Sequence, residues 1–404
     1  MKAKQIISQH GFHLSAAALA VAIYCFWYFL RPFVLLAREQ SQLFQWNGEY
    51  LLERLAVPGG LAQYVGEMLV QFFVNPTLGA LIYALLALLT LWLSRRIVAP
   101  LSERFPKVKR WIWTLVAFLP PLLLWWVSTE IYVPMTLTVA VVTTLAMWAF
   151  LPSGPWARFV WVLLLTVAGY WLLGPAVLLL AAALLPSWWK SGVAVLLLVS
   201  CVLGSSWLTP YPLRQVARGI DYYWDQHLLG TPEEMRYDMM VRGKQWEELV
   251  TTYFHERPQS LALQSAAALA MFQTGRASEQ ELLESVSMSN KSISSQSSAF
   301  LMSDVLMQLG MSNMAQHAAF EAMESVPNHN KSGRALLRLI ETNLVAGQSD
   351  VALKYLDILD ETLLYRKWVQ RLRPLALQPE LLEKHATYGR LSKLYRESKN
   401  VFFY

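Results

Sequence analysis

Aspartate is missing from the first half of this chain. None occurs in residues 1–208, and the first is Asp221. Charge of either sign is sparse there: 13 Lys/Arg and 6 Glu, about 9% of positions, against 43 charged side chains, about 22%, in residues 209–404. The second figure is ordinary for a soluble protein and the first is far below it. One water-soluble globule spanning the whole chain is therefore excluded. Cysteine is equally scarce. Cys25 and Cys201 are the only two, both inside apolar runs, which rules out a disulfide framework and suits small packing residues. The sequence has no Gly-rich phosphate loop with its lysine, no paired-histidine zinc motif and no serine nucleophile elbow. No metal or cofactor is implied. The basic excess, +7 in residues 1–208 against −1 in the remainder, is not interleaved with aromatics as a nucleic-acid surface would be, so no nucleic-acid partner is expected.

Apolar side chains are plentiful instead. They make up 55% of the chain, and 14 of its 17 tryptophans precede residue 209. A helix must offer about 20 mostly apolar residues to cross a bilayer, because lipid provides the backbone with no hydrogen-bond partner. Expected spans cover 13–37, 68–93, 111–127, 132–151 and 193–208, with 159–185 divided at Gly174-Pro175 into two thin spans or a re-entrant hairpin. That gives a bundle of about seven transmembrane helices over residues 1–208. Pro76 and Gly79 are expected to kink the second span, and the basic run Arg95–Arg110 to form a loop after it.

Lysine and arginine set the orientation. With the N-terminus inside, Lys2, Lys4, the six basic residues of 95–110, Arg158 and Lys190 face the cytoplasm, while only Arg31, Arg38 and Arg54 face out. An odd number of crossings then places residues 209–404 outside. Five of the six early glutamates fall on that outer side: Glu39, Glu49, Glu53, Glu67 and Glu130. The first outer loop, about residues 38–67, reads as amphipathic. Glu49 and Glu53 are four apart on one helical face, with Tyr50, Leu51 and Leu55 available to lipid, and Pro58-Gly59-Gly60 ends that helix. Carboxylates collected at a membrane surface can act as a general base, so Glu39, Glu49 and Glu53 are the candidate catalytic residues. Arg38 and Arg54 are the candidates to hold a substrate phosphate. No span carries charge near its centre, which disfavours an ion-coupled transporter.

Residues 209–231 read as a linker helix and 232–404 as a helical-repeat domain. Gly243, Gly275, Gly310 and Gly347 are separated by 32, 35 and 37 residues, and each lies between two helical stretches, the pattern of stacked helix-turn-helix repeats. The clearest copy is 303–327, with Ala315 and Ala322 at close helix contacts and Pro327 as its stop. The serine-rich run 285–298 reads as a loop, and 379–398 as a capping helix. The fold class is thus all-α: a membrane bundle followed by a soluble α-solenoid. The repeats, over about 232–364, resemble tetratricopeptide repeats, whose concave surfaces bind proteins or peptides.

The whole chain resembles a family of bacterial polytopic envelope proteins with a repeat-rich tail. The resemblance rests on Glu39-Gln40-Ser41-Gln42-Leu43-Phe44, Tyr50, Pro58-Gly59-Gly60-Leu61 and Gln71-Phe72-Phe73. It implies the bacterial cytoplasmic membrane, with the N-terminus inside and the C-terminal domain outside. More distantly, residues 1–208 are similar in layout to GT-C membrane glycosyltransferases, which place a catalytic acid in a long first outer loop; Glu39 is the nearest match to that acid. Two readings follow. One is an envelope assembly protein whose extracytoplasmic repeats bind a protein or peptide partner. The other is a transferase using a lipid-linked sugar, with a loop carboxylate as base. Membrane lipid is a partner in both.

Overall fold

The computed structural model describes residues 2–185, 187–225, 229–288, 293–326 and 330–397. Pro327 and Ser398 lie outside the described residues, as do the side chains of Lys2 and Lys4. All regular secondary structure among the described residues is helical, with no strand among them. They form two compact units. The first comprises residues 1–32 and 48–224, and the second comprises 33–47 and 225–404. The sequence division at 208/209 differs from this packing in two respects. Residues 33–47 belong with the C-terminal helices, and residues 209–224 stay with the first unit.

Five helical stretches in the first unit are long and apolar enough to cross a membrane: Gly11–Leu30, Pro76–Arg104, Trp111–Ser128, Pro155–Leu173 and Trp188–Leu208. This corrects the expected seven. The fourth expected span is reduced to the 15-residue helix Met135–Ala149. At 1.5 Å per residue it reaches about 22 Å, short of the roughly 30 Å hydrocarbon layer. Pro175–Leu184 is a ten-residue 3-10 helix, shorter still. Both are packed inside the unit, where Met135–Ala149 touches Pro76–Arg104, Gly60–Val70 and Pro175–Leu184. Around them the longer helices turn leucine, valine and tryptophan outward, as Leu85, Leu115, Leu164, Leu196 and Trp207 do. Such continuous outward apolar surface is what lipid contact requires.

Several boundaries move for local reasons. The first membrane-length stretch ends in a π turn at Phe26–Leu30, and Pro32 opens a new helix, Pro32–Gln40, so residues 33–37 are not part of that span. Pro76 does not kink a span but starts one. It occupies the first turn of Pro76–Arg104, capped by the Asn75 side chain accepting from the Thr77 N–H at 3.0 Å, where a missing donor costs nothing. That helix runs on through Arg95 and Arg96 to Arg104, so most of the expected basic loop is helix. Its cations rest on aromatic rings, Arg95 4.2 Å from the Phe12 centroid and Arg96 4.2 Å from Phe150. Lys190 sits 4.2 Å from the Trp156 ring, an arrangement that suits interfacial positions.

The second unit is built from helix pairs. Pro232–Arg242 precedes Trp246–Glu256, Leu261–Gln273 precedes Glu279–Met288, Gln296–Gln308 precedes Ser312–Glu324, and Gly333–Val345 precedes Ser349–Asp360. The four periodic glycines fall in the four intra-pair turns. Gly275, Gly310 and Gly347 have φ of +73°, +78° and +76°, the left-handed geometry that ends helices. At the first turn Gly243 is right-handed, and Lys244 takes the positive φ, +53°. Small residues let the paired helices touch, with Ala315, Ala318, Ala322 and Ala352 fully buried. From Gln296–Gln308 onward each helix packs on the next, through to Arg366–Leu377. Of the expected serine-rich loop, residues 285–288 end the Glu279–Met288 helix and 289–292 lie outside the described residues. Ser295 caps a helix that contains 296–298, its side chain accepting from the Ser298 N–H at 3.1 Å. The expected capping helix is two, Pro379–Lys384 and Tyr388–Glu397.

Candidate functional site

Two buried polar constellations stand out, one in each unit. The first grows from the Gly48–Leu55 and Gly60–Val70 helices. Residues four apart share a helical face, so Tyr50 and Arg54 project together from one helix, and Gln63 and Glu67 from the other. The tight turn between them needs Gly60, since a Cβ there would lie 1.7 Å from the Arg54 carbonyl oxygen. The hairpin closes on Glu67. Its Oε2 accepts from Tyr50 Oη at 2.5 Å and Arg54 Nε at 3.0 Å, and its Oε1 from Gln63 Nε2 at 2.9 Å. Arg54 also lies over the Tyr50 ring. Tyr50, expected to meet lipid, is buried instead.

Glu67 is fully enclosed, and burial pushes its carboxyl up to about 7 despite Arg54. Asp221 adds to that rise. It is itself buried, accepting from Thr136 Oγ1 at 2.7 Å and Trp224 Nε1 at 2.8 Å. Arg54 is held above its usual range by Glu67 and Tyr50, which outweigh its own burial. Both carboxylate oxygens of Glu67 are occupied, so the arrangement works as a clamp between two helices. Glu49 and Glu53 are exposed on the outside of the same hairpin, and Glu53 comes within 3.6 Å of Arg54.

The second constellation holds the other sequence candidates. Arg38 and Glu39 end the Pro32–Gln40 helix, and residues 41–46 continue without regular structure. All of residues 38–45 are buried among the C-terminal helices of their unit. The contacts are specific to side chains. Tyr365 Oη donates to Glu39 Oε1 at 2.6 Å, Arg334 Nη1 to Gln40 Oε1 at 3.0 Å, and Ser41 Oγ to Gln296 Oε1 at 2.7 Å. Leu43 joins the apolar cluster of Leu336, Ile340, Leu344 and Leu372. Gln45 and Asn47 donate to the Glu361 carboxylate at 2.7 and 2.6 Å, and the Trp46 N–H donates to the Glu361 carbonyl at 2.8 Å.

Arg334 is fixed from behind by Asp238 at 2.7 Å and Asp304 at 2.5 Å, and Arg338 also pairs with Asp304. These two guanidiniums hold the Asp304 carboxyl below its usual range in spite of burial. The Glu39 carboxyl moves the other way. Its burial outweighs the attraction of Arg242 and Arg334, and the carboxyl is raised. Tyr365 reaches Glu39 because position 333 is glycine; a Cβ there would lie 2.5 Å from the Tyr365 ring.

The structure thus separates the five candidates. Arg38 and Glu39 belong to the second unit, and Glu49, Glu53 and Arg54 to the first. Glu67 was legible as an outer acid but not as the centre of a cluster; the i, i+4 pairs Tyr50/Arg54 and Gln63/Glu67 flanking Pro-Gly-Gly carried that signal. Nothing in the sequence pointed to Tyr365, Arg334 or Glu361, which lie some 300 residues from the segment they hold. Among the described residues no group of three or more His, Cys, Asp or Glu is arranged to hold a metal ion.

Comparison with characterised proteins and with solved structures gave no match. A family model, described as a family of unknown function, matches residues 7–234 and again 230–404. Those two matches together take in nearly the whole sequence, both the apolar bundle and the paired helices, and the chain accordingly belongs to that family, DUF6057.

Proposed function

We propose that this protein is a membrane-anchored assembly factor of the bacterial envelope whose C-terminal helices form a tetratricopeptide-like solenoid that binds a polypeptide partner. The membrane-length helices supply the anchor. An odd number of crossings, as expected from the sequence, puts residues 225–404 on the side opposite the N-terminus. The positive-inside bias makes that side extracytoplasmic. The observation that carries the reading is that these helices already hold an unstructured stretch of polypeptide, residues 41–47, through contacts particular to each side chain. A scaffold that reads a peptide in this way is suited to reading others.

The transferase reading asks for a carboxylate that is both poised and open to a donor. Glu39 and Glu67 are enclosed and hydrogen-bonded, whereas Glu49 and Glu53 are exposed. Geometry therefore favours binding over catalysis. The test is site-specific photo-crosslinking in intact cells, with the probe at exposed Phe254 or Phe320 of the helical repeats. A discrete adduct with another polypeptide, formed from the extracytoplasmic side, is the expected result. Absence of any such adduct from either position, with the protein normally inserted, would remove the proposal.

A further inference from the structure

The contacts of residues 38–47 amount to a recognition pattern. Glu39 is read by Tyr365, Ser41 by Gln296, Leu43 by the Leu336–Ile340 cluster, and Gln45 and Asn47 by Glu361. Leu43, Gln45 and Asn47 are alternate residues of the stretch without regular structure, whereas Glu39 closes the Pro32–Gln40 helix and the N–H groups of Ser41 and Gln42 turn back on the Arg38 and Glu39 carbonyls. Arg334 reads Gln40 as well, but not every buried polar atom at this site is paired. Both amide atoms of Gln42 are buried without a hydrogen-bond partner, although the residue is only 1% exposed. Gln40 Nε2, Glu39 Oε2 and Gln296 Nε2 are buried and unpartnered as well. A buried polar atom without a partner forfeits its hydration without return, so a segment with an apolar residue in place of Gln42 avoids that cost.

We infer that residues 38–47 occupy the peptide site of the helical repeats in cis, and that the site takes in trans a partner segment of the same chemistry. That segment presents a carboxylate, a small hydroxyl two residues later, leucine two residues after that, then amide donors two and four residues further on. An apolar residue stands where this chain has Gln42. This inference rests on the proposed peptide-binding role and specifies its ligand. Tethering gives the cis segment an effective concentration on the order of millimolar, so a trans ligand enters by relieving the unsatisfied positions rather than by abundance. Arg334, braced by Asp238 and Asp304, remains in place for either occupant.

The test uses the full-length protein in detergent and a fluorescent synthetic peptide with the sequence of Phe33–Asn47. Wild type should bind it negligibly at about 10 µM, because its own segment is present at far higher effective concentration. Leu43→Asp, which expels the cis segment, should bind the peptide at least about tenfold more tightly. Leu43→Ala should show a smaller gain in the same direction and decides the matter if the aspartate variant does not fold. A competing peptide carrying Gln42→Leu should displace the probe about tenfold better than the native sequence, and one with Leu43→Asp should not displace it. Equal binding by wild type and both variants, or no binding by a folded variant, would overturn the inference. A partner crosslinked in cells that fails to compete with the peptide would leave the binding role intact and sink this site. Peptide exchange without any cellular partner would do the reverse.

Discussion

Removing Arg54 tests the clamp most directly. Glu67 has no exposure and the Arg54 side chain only 10%, so solvent does little to screen the pair. Breaking a buried pair by deleting one partner costs about 3–5 kcal/mol, whereas replacing both by apolar groups of similar volume is often near neutral. Arg54→Met alone should therefore destabilise the protein by about 3 kcal/mol or more, and Arg54→Met with Glu67→Met should recover most of the loss. The pH dependence supplies an independent reading. The Glu67 carboxyl titrates near 7 in the folded state, against 4.5 ordinarily, so the native protein holds this proton more tightly than the unfolded chain. Its contribution is fully present below about pH 4.5 and is lost as pH rises through 7. A shift of that size corresponds to about 3 kcal/mol. Glu67→Gln, which cannot titrate, should flatten the profile between these limits. The assay is thermal unfolding in mild detergent from pH 4.5 to 8, followed by tryptophan emission. A loss below about 1 kcal/mol for Arg54→Met, together with an unchanged pH profile for Glu67→Gln, would refute the buried clamp.

Gly333→Ala should push Tyr365 off Glu39, because a Cβ meets the ring at 2.5 Å. Overpacking of this kind costs about 1–3 kcal/mol, and faster amide exchange in residues 38–47 would report it. Tyr365→Phe removes the Glu39 hydrogen bond and leaves that buried carboxyl short of a donor, a loss of about 1–3 kcal/mol; pairing it with Glu39→Leu should restore part of the melting temperature. Lys244→Gly should stabilise the protein by up to about 1 kcal/mol, since the exposed lysine holds a left-handed conformation at φ +53°, and a lower melting temperature would contradict that geometry.

Local signals carried far along this chain. The charge-poor first half marked membrane-length helices because lipid penalises charge and unpaired backbone wherever they occur, a constraint each segment meets alone. Gly275, Gly310 and Gly347 marked helix turns for the same kind of reason, as φ near +75° suits a residue without Cβ. Hydropathy marked 132–151 as a full span although its helix, Met135–Ala149, is only 15 residues long and half buried by its neighbours, and composition does not distinguish a protein interior from a lipid one. The amphipathic pattern of Gly48–Leu55 located a helix but not what it faces, so Tyr50 read as a lipid contact when its hydroxyl is a donor to Glu67.

Composition and periodicity by themselves determined that this protein is helical, that its apolar half suits a bilayer and that its second half is made of paired helices, all consequences of interactions within one or two turns. Tertiary structure alone decided that residues 33–47 leave the apolar half to be read by Tyr365, Arg334 and Glu361. Those partners are remote in sequence, and the hydrogen bonds and apolar contacts that select them exist only once the helices have been brought together.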